Sequence, residues 1–185
     1  MRPWLNWLVL TTTVLVFGAS FVLLGSVIGM NSPWLMLLLM LDLLGIAKVA
    51  EPLFRLKMPG VLRPVRRCER AGNAYRLLGV PGFGRLLRRS PLRYFNAALY
   101  LEARQGDLHD VRLRAESAEA NHFWAAVLFA PYVLYAGLNH RWQVAAWFTL
   151  AQVMVNVYPI LHLRYVRARL TRTLARMDRQ RSARR

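Results

Sequence analysis

Apolar and polar positions in this chain are sorted into blocks rather than interleaved. No residue between positions 3 and 41 is charged. A helix crosses the hydrocarbon core of a bilayer with about 20 apolar residues, so this block holds one full crossing and most of a second. A first span over 4–28 and a second over 33–50 follow, separated by the uncharged turn Gly29-Met30-Asn31-Ser32-Pro33. Trp4 and Trp7 stand where interfacial anchors belong. Gly25 and Gly29 form a small-xxx-small pair that lets a second helix approach closely. Two further apolar passages, 122–138 with Pro131 inside it and 142–161 with Trp142 and Trp147 as anchors, are divided by a short break at 137–141. Between the two halves, Leu86, Leu87, Leu92, Phe95 and Leu99 recur near helical spacing among Arg88, Arg89 and Arg93. That is the pattern of a helix in the interface plane, with its arginines snorkelling to lipid phosphates.

Charge turns these spans into a topology. The chain is 56% hydrophobic, yet it carries a formal charge of +17 over 185 residues. Residues 51–115 hold 14 Lys/Arg against 5 Asp/Glu, and residues 162–185 hold 9 Arg against Asp178 alone. The connections at 29–33 and 137–141 contain only Arg141. Lys and Arg collect on the cytoplasmic side of a membrane. The expected fold is therefore an all-α integral membrane protein with about four transmembrane helices in two hairpins. A cytosolic loop over 51–121, a cytosolic tail over 162–185 and cytosolic termini make it a multi-pass protein of the cytoplasmic membrane. The length suits a single membrane domain, 1–185, with no repeat at solenoid spacing. Pro52, Pro59-Gly60, Pro64, Pro81-Gly82 and Gly84 punctuate the loop against long helices, while 112–121 reads as a polar helical lead into the third span. The basic charge suits anionic lipid headgroups and comes with no nucleic-acid-binding module. Membrane lipids, not nucleic acid, are the expected partners; the oligomeric state is open. The first apolar run exceeds a signal-peptide core and leads straight into another, so it reads as a retained helix. The single cysteine, Cys68, excludes an intrachain disulfide and a zinc site of several thiolates.

A few polar residues beside or inside the spans can carry chemistry. Asp42 lies among leucines in the second span, with Lys48 near its end. A carboxyl there contacts a proton or substrate, ties helices together, or bends its span towards water; a small transporter using Asp42 is one class left open. Glu116, Glu119 and His122 are spaced by three, so on a helix they follow one side, with His122 at the membrane entry. An imidazole oriented by a carboxylate can take the proton of a hydroxyl that attacks an activated acyl group. The same residues also read as a hydrated polar helix end. Glu-x-x-His is a metal-ligand pair in carboxylate-bridged bundles, but His109, His140 and His162 supply no second copy, and no metal is expected. Asn156 can hold His122, Glu119 or substrate, or simply tie helices. Arg164, Arg167 and Arg169 can grip phosphate or carboxylate bidentately, or form no more than a positive-inside tail. Gly-x-Ser-x-Gly, a P-loop and His-x-x-x-x-Asp are absent, and the glycines of 79–84 lack the strand–turn–helix setting of a dinucleotide site.

Ala118-Glu119-Ala120-Asn121-His122, an apolar hairpin, Asn156 and then Arg164-Tyr165-x-Arg167-x-Arg169-Leu170 together resemble the glycosyl-diaponeurosporenoate acyltransferase family. Its named member adds a fatty acyl chain to the sugar of a staphyloxanthin-type carotenoid. A second block, Glu69-Arg70-Ala71-Gly72-Asn73-Ala74-Tyr75 followed by Gly79-Val80-Pro81-Gly82-Phe83, is similar to the family's Glu-x-x-Gly-x-x-aromatic and x-Val-x-x-aromatic. The resemblance covers roughly residues 51–172 and departs at Leu163 and Val166, where the family has glutamine and asparagine. It implies a membrane acyltransferase with His122 as base and Glu119 as its orienting carboxylate. It places Glu69, Tyr75, Asn156, Arg164, Tyr165, Arg167 and Arg169 around the substrate. It further implies no tightly bound cofactor, an acyl thioester of coenzyme A or a carrier protein as co-substrate, and a lipid-soluble acceptor, a glycosylated carotenoid or similar glycolipid. The rival expectation is a non-catalytic membrane subunit that organises a lipid or pigment enzyme through its basic face.

Overall fold

The computed structural model describes residues 3–29, 32–66, 69, 72–90 and 108–182, and no strand occurs among them. The helices are α1 (Pro3–Ile28), α2 (Pro33–Ala50), α3 (Asn73–Leu77), α4 (Val80–Arg89), α5 (Leu108–Leu138) and α6 (Trp142–Gln152), then a π turn (Val153–Val157) and α7 (Tyr158–Ser182). They fall into two compact units, an apolar one of residues 1–56 and 121–157 and a basic one of residues 57–120 and 158–185.

Three helices are long and apolar enough to cross a membrane: Trp4–Ile28, Pro33–Ala50 and the continuous run Trp142–Met177. They are consistent with a membrane protein. The third expected span is helical as the second half of α5, but Asn121, His122, Pro131, Tyr132 and Tyr135 dilute its apolar character, and α5 is not one of the three. The expected interfacial helix over 86–100 coincides with the end of α4 as far as Arg89; residues 91–100 and Cys68 lie outside the described residues.

In the apolar unit the core is Met40, Phe129 and Phe148, with Met36, Leu39, Tyr132 and Val155 packed around it. Tyr132 meets Phe148 edge-on at 4.8 Å between ring centroids, and Trp34 meets Trp147 at 5.4 Å. Leu15, Val22, Leu23 and Val27 of α1 are exposed, which leaves an outer face suited to lipid. Asp42 is buried, and its Oδ2 has no partner among the described residues. The break at 137–141 closes α5 through paired bonds, from the His140 N–H to the Gly137 carbonyl and from the Arg141 N–H to the Ala136 carbonyl. This is the Schellman closure, with His140 at φ 55° in the left-handed position usually given to glycine.

In the basic unit, Leu163 of α7 packs on Ala115 and Ala118 of α5, and these small side chains let the two helices approach closely. The Pro-Gly cluster, expected to exclude a long helix, opens a ten-residue one. Gly79 caps α4 at φ 69°, and Pro81 occupies its first turn, where a backbone N–H has no intrahelical partner to lose. Gly84 then permits close contact with α7, since a Cβ there would collide with the His162 ring.

Candidate functional site

Arg164 and Arg167 stand one turn apart on α7, as Glu116 and Glu119 do on α5, so each pair shares a helix face. Arg164 Nε donates to Glu69 Oε1 at 2.5 Å, and Nη2 donates to Glu69 Oε2 at 3.4 Å and to the Pro64 carbonyl at 3.1 Å. Arg164 Nη1 donates to Glu119 Oε1 at 2.8 Å and to the Leu62 carbonyl at 2.7 Å. All five N–H groups of this guanidinium are thereby engaged. Arg167 Nη1 donates to Glu119 Oε2, while Nη2 donates to the Arg63 carbonyl at 2.8 Å and to Glu116 Oε2 at 3.4 Å. Arg63 Nε donates to Glu116 Oε1. The result is an alternating chain, Glu69–Arg164–Glu119–Arg167–Glu116–Arg63, in which every carboxylate has a guanidinium partner. Glu119 has no exposed surface and Arg167 is 5% exposed. Charges so deep are tolerated only when paired and hydrogen-bonded.

At the Glu69 end, the Arg66 N–H donates to Oε2 at 2.6 Å and the Tyr75 hydroxyl to Oε1 at 3.3 Å. Burial alone would raise the Glu69 carboxyl; the bonds from Arg164 and the Arg66 N–H, with the Arg164 charge, outweigh it and hold the group below the ordinary carboxylate range. Tyr75 is pushed up to about 12, first by burial and then by the Glu69 charge, so it stays a neutral donor. Its ring lies 5.6 Å from that of Tyr165, over which Arg169 sits at 5.8 Å.

The apolar unit holds a second polar cluster. His122 Nδ1 lies 3.4 Å from Asn156 Oδ1. Asn156 Nδ2 donates to Gln152 Oε1 at 2.5 Å and to Met40 Sδ at 3.1 Å, and Gln152 Nε2 reaches the Ala126 carbonyl at 3.5 Å. These bonds turn the Asn156 oxygen towards the imidazole. Nδ1 therefore carries the proton and Nε2 the lone pair, an assignment made from the bonding network. Asn156 has no exposed surface and sits in the π turn Val153–Val157. Such turns widen a helix locally and are frequent at functional sites.

Glu119 and His122 thus have different partners, although they share α5: the carboxylate binds Arg164 and Arg167, and the imidazole binds Asn156. Glu69, Tyr75, Arg164, Tyr165, Arg167 and Arg169 come together in the basic unit, whereas Asn156 lies with His122 in the apolar unit. Arg63, Gln152 and Met40 were not foreseen. Gln152 carried a signal, an amide one turn before Asn156 in an apolar run. Arg63 carried none, because its carboxylate partner is 53 residues away and it also offers a backbone carbonyl, which any residue has. Among the described residues, no group of three or more His, Cys, Asp or Glu is placed to hold a metal ion.

A family model described as glycosyl-4,4'-diaponeurosporenoate acyltransferase matches residues 60–176. The matched stretch includes the whole alternating charge chain, His122 and Asn156. No curated protein and no solved structure matches the chain.

Arg164→Lys keeps the charge but loses the planar fork that serves Glu69, Glu119 and two carbonyls. It is expected to destabilise the protein by about 2 kcal/mol or more, read as a lower thermal unfolding midpoint in detergent; an unchanged midpoint would show that the fork is dispensable. A second expectation concerns acid. The folded-state pKa of Glu69 is depressed, so its stabilisation is present above the ordinary carboxylate value and is lost as pH falls through the depressed one. The midpoint of Glu69→Gln should therefore fall less on acidification than that of the wild type. Equal falls would remove Glu69 from the acid response.

Proposed function

Because the chain belongs to the glycosyl-4,4'-diaponeurosporenoate acyltransferase family, we propose that it moves a fatty acyl group from a thioester to a hydroxyl of a glycosylated carotenoid or similar glycolipid at the cytoplasmic membrane. The observation that carries this reading beyond the family is the imidazole of His122, held in one tautomer by Asn156 inside the apolar unit. In the proposed reaction His122 Nε2 takes the proton of the acceptor hydroxyl. The freed oxygen attacks the thioester carbonyl, the new C–O bond replaces the C–S bond, and the proton passes to the leaving thiolate. The donor is a thioester of coenzyme A or of a carrier protein and approaches from the cytosol.

Asn156 acts as a positioning residue, and Gln152 holds the Asn156 amide. Glu119 acts through Arg164 and Arg167, keeping the α5–α7 pairing of the basic unit in register. Tyr165 and Arg169 offer an aromatic and cationic surface for substrate, and the buried Tyr75, bonded to Glu69, supports the Tyr165 ring. The topology that suits this chemistry has four crossings, with residues 122–138 as the third and both termini in the cytosol. It is supported by the charge asymmetry between the 51–115 and 162–185 blocks and the short connections.

Host membranes supplied with a glycosylated carotenoid and a fatty acyl thioester should yield the acyl ester by mass spectrometry when the chain is present. Asn156→Leu removes the acceptor that sets the tautomer, so its kcat should fall by about tenfold or more while KM changes little. No ester with the wild type would overturn the acceptor class, and an unchanged kcat in Asn156→Leu would remove Asn156 from the mechanism.

A further inference from the structure

We infer that α4 is a lipid-contact element whose outer face, Arg85, Leu86 and Arg89, meets anionic headgroups at a depth set by α7. The two sides of α4 differ. Val80 and Gly84 are buried, and Phe83 and Leu87 partly so. This side packs on the start of α7. The Phe83 ring lies 5.4 Å from that of Tyr158 and 6.1 Å from that of His162, and Gly84 has no room for a side chain beside the His162 ring. Gly82, Arg85, Leu86 and Arg89 recur at helical spacing on the other side. Arg85, Leu86 and Arg89 are exposed, Leu86 by 62%. Leu77 and Leu78, just before α4, are exposed as well.

Position decides what this face meets. In the proposed four-crossing topology, Tyr158 and His162 stand at the cytosolic end of the fourth crossing, 142–161. The helix packed on them, α4, is therefore seated where that crossing leaves the hydrocarbon. An uncovered face at that level meets headgroups rather than bulk water. Its chemistry fits them. Between Glu69 and Glu102 the sequence carries six arginines and no acidic residue, so the phosphates of anionic lipids complement the charge. A leucine between arginines suits the same level, because its side chain enters the acyl boundary while the guanidiniums reach phosphate. A soluble acidic partner matches the charge but not the depth. The more apolar side of α4 is already packed on α7, so α7, and not free insertion of an amphipathic helix, fixes where the arginines sit. The inference rests on the fourth crossing and its cytosolic end, and is independent of the acyl-transfer chemistry.

The test uses the full chain with Cys68→Ser and one new cysteine carrying a fluorophore, in nanodiscs of phosphatidylcholine with or without phosphatidylglycerol. The labelled positions are Leu86→Cys on the outer face, Val157→Cys within the fourth crossing and Arg179→Cys beyond it on α7, all exposed. With phosphatidylglycerol, the neutral aqueous quencher acrylamide should quench Leu86→Cys about threefold or more less strongly than Arg179→Cys. This shielding should weaken in phosphatidylcholine alone. Adding Arg85→Gln and Arg89→Gln, at exposed positions, should abolish the difference between the two lipids. The inference is overturned if Leu86→Cys is quenched as strongly as Arg179→Cys in phosphatidylglycerol. Equal shielding in the two lipids, or shielding that survives unchanged without the two arginines, overturns it as well. Val157→Cys separates these failures from failure of the topology. If it is shielded, the crossing stands and the lipid contact alone falls; if it is quenched as strongly as Arg179→Cys, both fall. No turnover is read, so the acyl-transfer reading is decided by the ester product alone.

Discussion

A carboxylate with no exposed surface, Glu119, is shared between the guanidiniums of Arg164 and Arg167, and the basic unit depends on it. Removing a carboxylate from water is costly, and only close, well-aligned guanidiniums offset that cost. The requirement reaches outward link by link. Arg164 must also satisfy Glu69, Arg167 must also reach Glu116, and both take backbone carbonyls from residues 62–64. A loop rich in proline and basic residues is thereby tied to α7. The small residues Ala115 and Ala118 against Leu163 set the approach that makes the geometry reachable.

The same chain of charges sorts the arginines by role. Arg164 has all five donors engaged within the protein, whereas Arg167 and Arg112 each keep a buried Nε–H with no acceptor among the described residues. The apolar unit solves its polar problem differently. Its relay runs through an imidazole, two amides and a backbone carbonyl, groups that can be neutral and so cost far less to bury than ions. Charge is concentrated where the chain packs ion against ion, and the imidazole is held among neutral groups.

Much of the scaffold was legible because hydropathy is a local property. α1 and α2 lie where the uncharged block put them, and the break at 137–141 is a tight Schellman closure. The partners of Glu119 were not legible. Spacing along α5 shows that Glu116, Glu119 and His122 share a side, but not which groups face them from another helix. On charge alone the Arg164–Arg169 segment read as a positive-inside tail; in the fold Arg164 and Arg167 pair with carboxylates distant in the chain. The Pro-Gly cluster at 79–84 argued against a long helix but did not show the short one it opens, because a proline placed in the first turn is a helix starter. The pairing of Asn156 with His122 was one of several alternatives, and the Gln152 amide, one turn away, singles it out.

The most direct measurement is the acyl-transfer rate of His122→Gln, made on protein whose thermal unfolding midpoint matches that of the wild type. A general base of this kind contributes about a hundredfold or more, so a loss of that size with intact folding is the predicted result. A rate equal to the wild type's would contradict the account, leaving the His122–Asn156–Gln152 relay as a structural tie between helices rather than the base of an acyltransferase.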